Sequence, residues 1–201
     1  MRVAVPRKSV SRILRWSQVA FFAVAAVMLG YCAFILADTW IYQRNASLTL
    51  DRAHLRPAPP PGPDARAMGG LVGRIEIQRL GLSVIVAEGT NETTLRRAAG
   101  HIENTALPGH PGNVGIAGHR DTLFRPLQNV RQDDVIVLTT LQGAYRYRVV
   151  SLKIVPPSDV AVLNPDGNEI LTLVTCHPFY FIGAAPNRFI VRAKRIASPQ
   201  G

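Results

Sequence analysis

The chain has 201 residues, a formal net charge of +10 and only two cysteines, Cys32 and Cys176. That length holds one domain of ordinary size plus extensions. The charge does not mark a nucleic-acid binder: Arg2, Arg7, Lys8, Arg12 and Arg15 crowd the first fifteen residues, no acid precedes Asp38, and from Met68 onward 14 bases stand against 10 acids. With neither an arginine-rich helix nor a basic stretch interleaved with aromatics, nucleic acid is set aside as a partner. The two cysteines lie far apart and no His/Cys cluster has metal-ligand spacing, which argues against an internal disulfide and against a structural metal.

Residues 1–16 form a basic segment that reads as cytoplasmic. Ser17 to Ala37, "SQVAFFAVAAVMLGYCAFILA", follows without a charge. It has the length a helix needs to cross a bilayer, on the order of 20 residues. Bases before it and Asp38 after it put the N-terminus in the cytoplasm and the rest outside, at the cytoplasmic (inner) membrane. Trp16, Trp40 and Tyr42 stand where interfacial aromatics belong. The run is long for a cleaved signal, Ile35 leaves no small residue at the −3 position, and Tyr31 is too bulky for a lipoprotein site at Cys32, so an uncleaved anchor is expected.

Residues 38–67 read as a juxtamembrane segment, helical at first, and then a proline-rich linker, "RPAPPPGPDAR". Such a segment is extended and semi-rigid, suited to holding a domain off a membrane. The folded domain is expected over residues 68–197. There "LVGRIEIQRL" alternates after Gly73, "LSVIVAEG" is an apolar run closed by glycine, and "TNETTLRRAAG" suggests a short helix capped by Asn91. "GNVGIAGH" is a strand bounded by glycine, and "DTLFRPL" a short helix or turn. "DDVIVLTT" and "AYRYRVVSLKIV" flank a turn at Gln142-Gly143. "SDVAVL" suggests another short helix, and "EILTLVTC" and "RFIVRAKRI" are the last strands. Seven or eight short strands with few, small helices predict a mainly β domain, a closed barrel or a sandwich.

Three strand ends carry reactive side chains: Cys176 ends "LTLVTC", His119 follows "IAG", and Arg188 opens "RFIVRA". Each alone is ordinary, since a strand-end cysteine can be a small buried hydrophobe. Together they supply the parts of acyl transfer: a thiolate nucleophile, an imidazolium to protonate a leaving amine, and a guanidinium to stabilise an oxyanion. Arginine suits the last role because it keeps its charge and presents its donors in a fixed plane. His177 and Arg120 each neighbour a candidate along an extended strand and so point the other way. Arg192 returns to the face of Arg188 and is the competing arginine.

At these residues the chain resembles the sortase family. "TLVTC", Thr172 to Cys176, matches the family's TLxTC signature, with "GHR" at His119 upstream and "RFIVRA" at Arg188 downstream, in the family's order. The resemblance covers about Gly70 to Ile196 and is closest to class D-like and Gram-negative sortases. It implies an eight-stranded closed β-barrel behind one N-terminal transmembrane helix. It implies a membrane-anchored cysteine transpeptidase that cuts a C-terminal Leu-Pro-x-Thr-Gly-like sorting signal and passes the secreted protein, held as a thioester, to an amine acceptor such as a cell-wall precursor. By motif, Cys176 would be the nucleophile, His119 the general acid/base and Arg188 the oxyanion and substrate-positioning group. Thr175, His101 and Ala117 become substrate-binding candidates, with a structural role as the competing reading of His101. No cofactor or metal is implied: Glu88, Glu92 and Glu103 are scattered. Without an Asp-Pro-aromatic lid before the barrel or an apolar tail after it, attachment of dedicated substrates is expected rather than polymerisation. A cysteine peptidase releasing product to water, or an inactive anchored binding module, are the alternatives.

Overall fold

The structure is a computed structural model that describes residues 7–54, 70–180 and 183–196. The proline-rich spacer at Arg56 to Arg66 and the boundary at Met68 lie outside the described residues. The chain forms two compact units, Met1–Ile41 and Tyr42–Gly201.

The first unit belongs to helix α1, Arg7–His54. Its apolar side chains, among them Phe21, Phe22, Leu29 and Leu36, are exposed. A helix apolar on all sides with no protein packed on it is what a hydrocarbon environment accommodates. It is the one helix among the described residues long and apolar enough to cross a membrane.

The second unit is a closed barrel of eight strands: β1 Leu71–Ile77, β2 Leu82–Glu88, β3 Ala99–His101, β4 Gly112–Ala117, β5 Val135–Thr140, β6 Gly143–Val155, β7 Glu169–His177 and β8 Asn187–Ile196. They close in the order β1-β2-β3-β4-β7-β8-β6-β5. The β2–β3 and β4–β7 pairs are parallel, the others antiparallel. Closure removes the open edges a sandwich would keep, which settles the choice the strand pattern left open. Strand β3 escaped the sequence reading because three residues are too few to show alternation. A short helix α2, Glu92–Arg97, crosses between β2 and β3; the Asn91 side chain accepts a hydrogen bond from the Thr94 N–H (2.9 Å), the expected cap.

Alternation sorts the strands into two faces. Leu171 and Leu173 on β7, Val191 and Ala193 on β8, and Val114 and Ile116 on β4 fill the interior with Ile75, Ile136, Leu138 and Tyr147. The intervening residues face outward. On β4 one of these, Asn113, is buried by the β6–β7 connection: its amide donates to the carbonyls of Val162 and Asn164 (3.1 and 3.4 Å).

The end of α1 also belongs to this unit. Tyr42, Ala46 and Leu50 recur every four residues and so line one face of the helix. That face packs on Ile85, Ala87 and Ala98, with Leu50 fully buried. The Gln43 amide bolts the contact: its oxygen accepts from the Ile85 N–H (2.9 Å) and its nitrogen donates to the Arg97 carbonyl (2.6 Å). Beyond the three residues covered by β3, Gln43 thus satisfies a backbone group at the β2 edge. Arg74 and Asp51 add an ion pair at 3.1 Å. Residues 42–54, which the sequence reading groups with the linker, therefore pack with the barrel.

Candidate active site

Cys176 and Arg188 sit on adjacent strands, and His119 lies just beyond the end of β4, the strand on the other side of β7. Cys176 and Arg188 are register partners on β7 and β8. Directly opposed residues of an antiparallel pair share a face, and this face is the outer one, because the flanking pairs Thr175–Phe189 and Leu173–Val191 turn inward. On the other side of β7, Ala117 is level with Val174 in the parallel β4–β7 ladder. The ladder ends there, and His119 follows two residues beyond Ala117, as Cys176 follows two beyond Val174. Cys176 is half-buried and His119 exposed.

The backbone around His119 is fixed from several sides. The Gly118 N–H donates to the Val174 carbonyl (3.1 Å), and the Thr175 hydroxyl donates to the Gly118 carbonyl (2.7 Å). After the histidine, the Phe124 N–H closes a turn on the His119 carbonyl (3.0 Å). The Phe124 ring is fully buried and occupies the space where a Cβ on Gly118 would lie, 2.7 Å from its nearest atom. Glycine is therefore required directly before His119 by close approach of a core ring.

The Arg188 guanidinium donates to the carbonyl of Ala185 (3.3 Å) in the preceding loop and to that of Asn187 (3.1 Å) at the start of β8. The competing Arg192 lies on the same outer face but opposite Thr172, and it is paired with Asp166 at 3.1 Å. Four residues of strand separate it from Arg188, about 13 Å at the usual rise.

The substrate-binding candidates fall in three different places. Ala117 faces outward, level with Val174 on β7. Thr175 points inward and its hydroxyl is spent on Gly118. His101 is buried on β3, with Nδ1 3.0 Å from Glu88 Oε2, and Nε2 3.0 Å from the Ala106 carbonyl and 3.1 Å from Thr105 Oγ1. Its ring ties the loop after β3 to β2. His110 is exposed. His177 turns inward as alternation requires; its ring stacks on Phe189 (6.3 Å) and meets Phe179 edge-on (6.2 Å). No group of three His, Cys, Asp or Glu side chains that could hold a metal occurs among the described residues. Both cysteines are free.

Arg120 was legible only as a residue pointing away from its neighbour His119. It is buried, and its guanidinium donates to the carbonyls of Pro178 (2.8 Å) and Gly183 (3.1 Å) and to Asp121 (3.3 Å). Its two carbonyl partners lie 58 and 63 positions away in sequence, so no local pattern signals them.

Comparison with known proteins agrees with the barrel fold. The sortase domain family matches residues 75–196. The sortase D of Bacillus subtilis is 29% identical over 196 residues, covering 89% of this chain and 98% of that protein. Among solved structures, a Clostridium perfringens sortase D5 transpeptidase shares 35% identity with a TM-score of 0.58, covering 64% of this chain and 79% of the other. The sortase A of Listeria monocytogenes shares 27% with a TM-score of 0.59, covering 64% and 88%. The class D-like resemblance fits the sortase D and sortase D5 relatives. With a sortase domain over most of the barrel and the TLxTC cysteine at the end of β7, this chain belongs to the sortase family of cysteine transpeptidases.

Proposed function

We propose that the chain is a membrane-anchored transpeptidase that cuts a Leu-Pro-x-Thr-Gly-like signal at the C-terminus of a secreted protein and joins the protein to an amine. Cys176 attacks the threonine carbonyl carbon as a thiolate, forming a C–S bond. Arg188 donors meet the oxyanion that develops. The C–N bond to glycine breaks as His119 gives its proton to the departing amine, leaving a thioester on Cys176. The acceptor amine then attacks the thioester, His119 takes its proton, and the thiolate leaves. The observation that carries this reading is the adjacency of β4, β7 and β8, which sets Cys176 opposite Arg188 and brings the His119 end of β4 alongside. Ala117 is proposed to line the substrate wall. The apolar part of α1, preceded by bases, supports an anchor with its N-terminus in the cytoplasm and the barrel outside.

The test is mass spectrometry of the full chain in detergent, incubated with Leu-Pro-x-Thr-Gly peptides randomised at x. An adduct of the peptide cleaved after threonine should appear on Cys176, and added triglycine should convert it to the ligated product. Product carrying only water, with triglycine present in excess, would identify a peptidase instead. Turnover surviving Cys176→Ala would refute the site.

A further inference from the structure

We propose that Arg120 is a positioning residue of the transpeptidation site, holding the His119 segment and the segment after Cys176 at a fixed separation. This rests on the assignment of Cys176 and His119 made above. The two candidates are bracketed by a matched pair of bonds. Before them, Thr175 donates to the carbonyl of Gly118, joining the residue preceding Cys176 to the residue preceding His119. After them, Arg120 donates to Pro178, joining the residue following His119 to the second residue beyond Cys176. His119 and Cys176 lie between these two ties. The second Arg120 bond, to Gly183, reaches toward the loop that ends in the Arg188 strand, where Arg188 is itself bound to Ala185 and Asn187. One side chain therefore touches the connections of all three catalytic candidates without touching the reacting atoms.

The chemistry of the side chain fits that task. Burying a cation is costly unless its donors are met, so a buried arginine stays where its bonds define a structure. Its neighbouring carboxylate, Asp121, is itself largely exposed, while two of its bonds go to main-chain carbonyls of a distant loop. The planar fork spans two acceptors at once; a lysine ammonium is a single point on a flexible stem and cannot reproduce both bonds in plane. A shift of about 1 Å between nucleophile and acid/base can cost on the order of 10²-fold in rate.

The experiment uses the full chain in detergent with Arg120→Lys and Arg120→Gln, beside Cys176→Ala and His119→Ala. Turnover of the randomised Leu-Pro-x-Thr-Gly peptide pool is measured at a temperature where circular dichroism shows each variant fully folded. Loss of turnover in Cys176→Ala and His119→Ala tests the underlying site assignment separately. Both Arg120 variants should lose on the order of 10- to 100-fold in kcat/KM, carried by kcat. Alkylation of Cys176 by iodoacetamide should stay within about two-fold, because that reaction needs no partner held at a set distance. Amide exchange should rise at residues 119–121 and 178–180 and stay unchanged in β5 and β6. Wild-type kcat/KM in a folded Arg120→Lys with those amides loosened would overturn the proposal. So would activity lost only in proportion to unfolded protein, or alkylation falling as steeply as turnover.

Discussion

Cys176 and Arg188 are partners across the β7–β8 ladder, and both leave the barrel on its outer face. Arg192 shares that face but stands opposite Thr172 and is bound to Asp166. The two arginines are therefore separated by function-relevant geometry that sequence parity cannot provide. Arg188→Lys keeps the charge and loses the planar fork, so peptide turnover should fall on the order of 10²–10³-fold. Arg192→Lys disturbs one partly exposed ion pair and should change turnover by less than about five-fold. Steady-state assays of both variants check the assignment, and the reverse pattern would transfer the role to Arg192.

Gly118 has no room for a side chain, since the Phe124 ring lies where its Cβ would go. Gly118→Ala should push apart the core ring and the residue preceding His119. Overpacking of this kind costs about 1–3 kcal/mol. A lowered thermal midpoint is expected together with reduced turnover, and Phe124→Leu in the same chain should restore part of both by making space.

His101 connects Glu88, Thr105 and the Ala106 carbonyl inside the fold. Removing its ring strands buried partners, at about 1–3 kcal/mol. His101→Ala should lower the denaturation midpoint while leaving iodoacetamide labelling of Cys176 unchanged in the folded protein. The exposed His110→Ala serves as control and should shift stability by less than about 0.5 kcal/mol.

Leu50 and Gln43 fasten residues 42–54 to the barrel. Leu50→Ala should cost about 2–5 kcal/mol, and its effect should appear as faster amide exchange in β2. A chain beginning at Tyr42 should be more stable than one beginning at Met68, because the shorter one exposes Ile85 and Ala87. Equal thermal midpoints for the two would show that the docked helix contributes nothing to the barrel.

Acid should weaken the fold through Asp134. Its carboxylate meets Arg79 with two bonds of 2.6 Å, and the Arg131 N–H adds a third at 2.8 Å. The Arg79 hydrogen bond holds this carboxyl below the usual aspartate range. A depressed folded value means the stabilisation is present above the ordinary value, about 3.9, and is lost as pH falls through the lower one. Wild type should therefore lose stability below about pH 4 more steeply than Asp134→Asn, and the two curves should converge at low pH. Urea midpoints measured from pH 2 to pH 7 check this.

The amino-acid sequence by itself determined the apolar span of α1, seven of the eight strands and the family signature that ends in Cys176. Apolar length and flanking charge need no partner to be read, alternation is a property of each strand alone, and the Thr172 to Cys176 signature is contiguous. It also placed His177 on the face opposite Cys176, because side-chain parity along a strand is local. What it left open depended on contacts between distant segments. Closure into a barrel is decided by which strands pair, and β3, only three residues long, supplies the link between β2 and β4. Arg188 and Arg192 are equivalent by parity and differ only in what stands across the ladder. Gln43 and Leu50 look like linker residues until β2 and α2 are packed against them. Arg120 acquires its partners at Pro178 and Gly183 only when β4 lies beside β7, since hydrogen-bond donors are matched by tertiary proximity and not by sequence spacing.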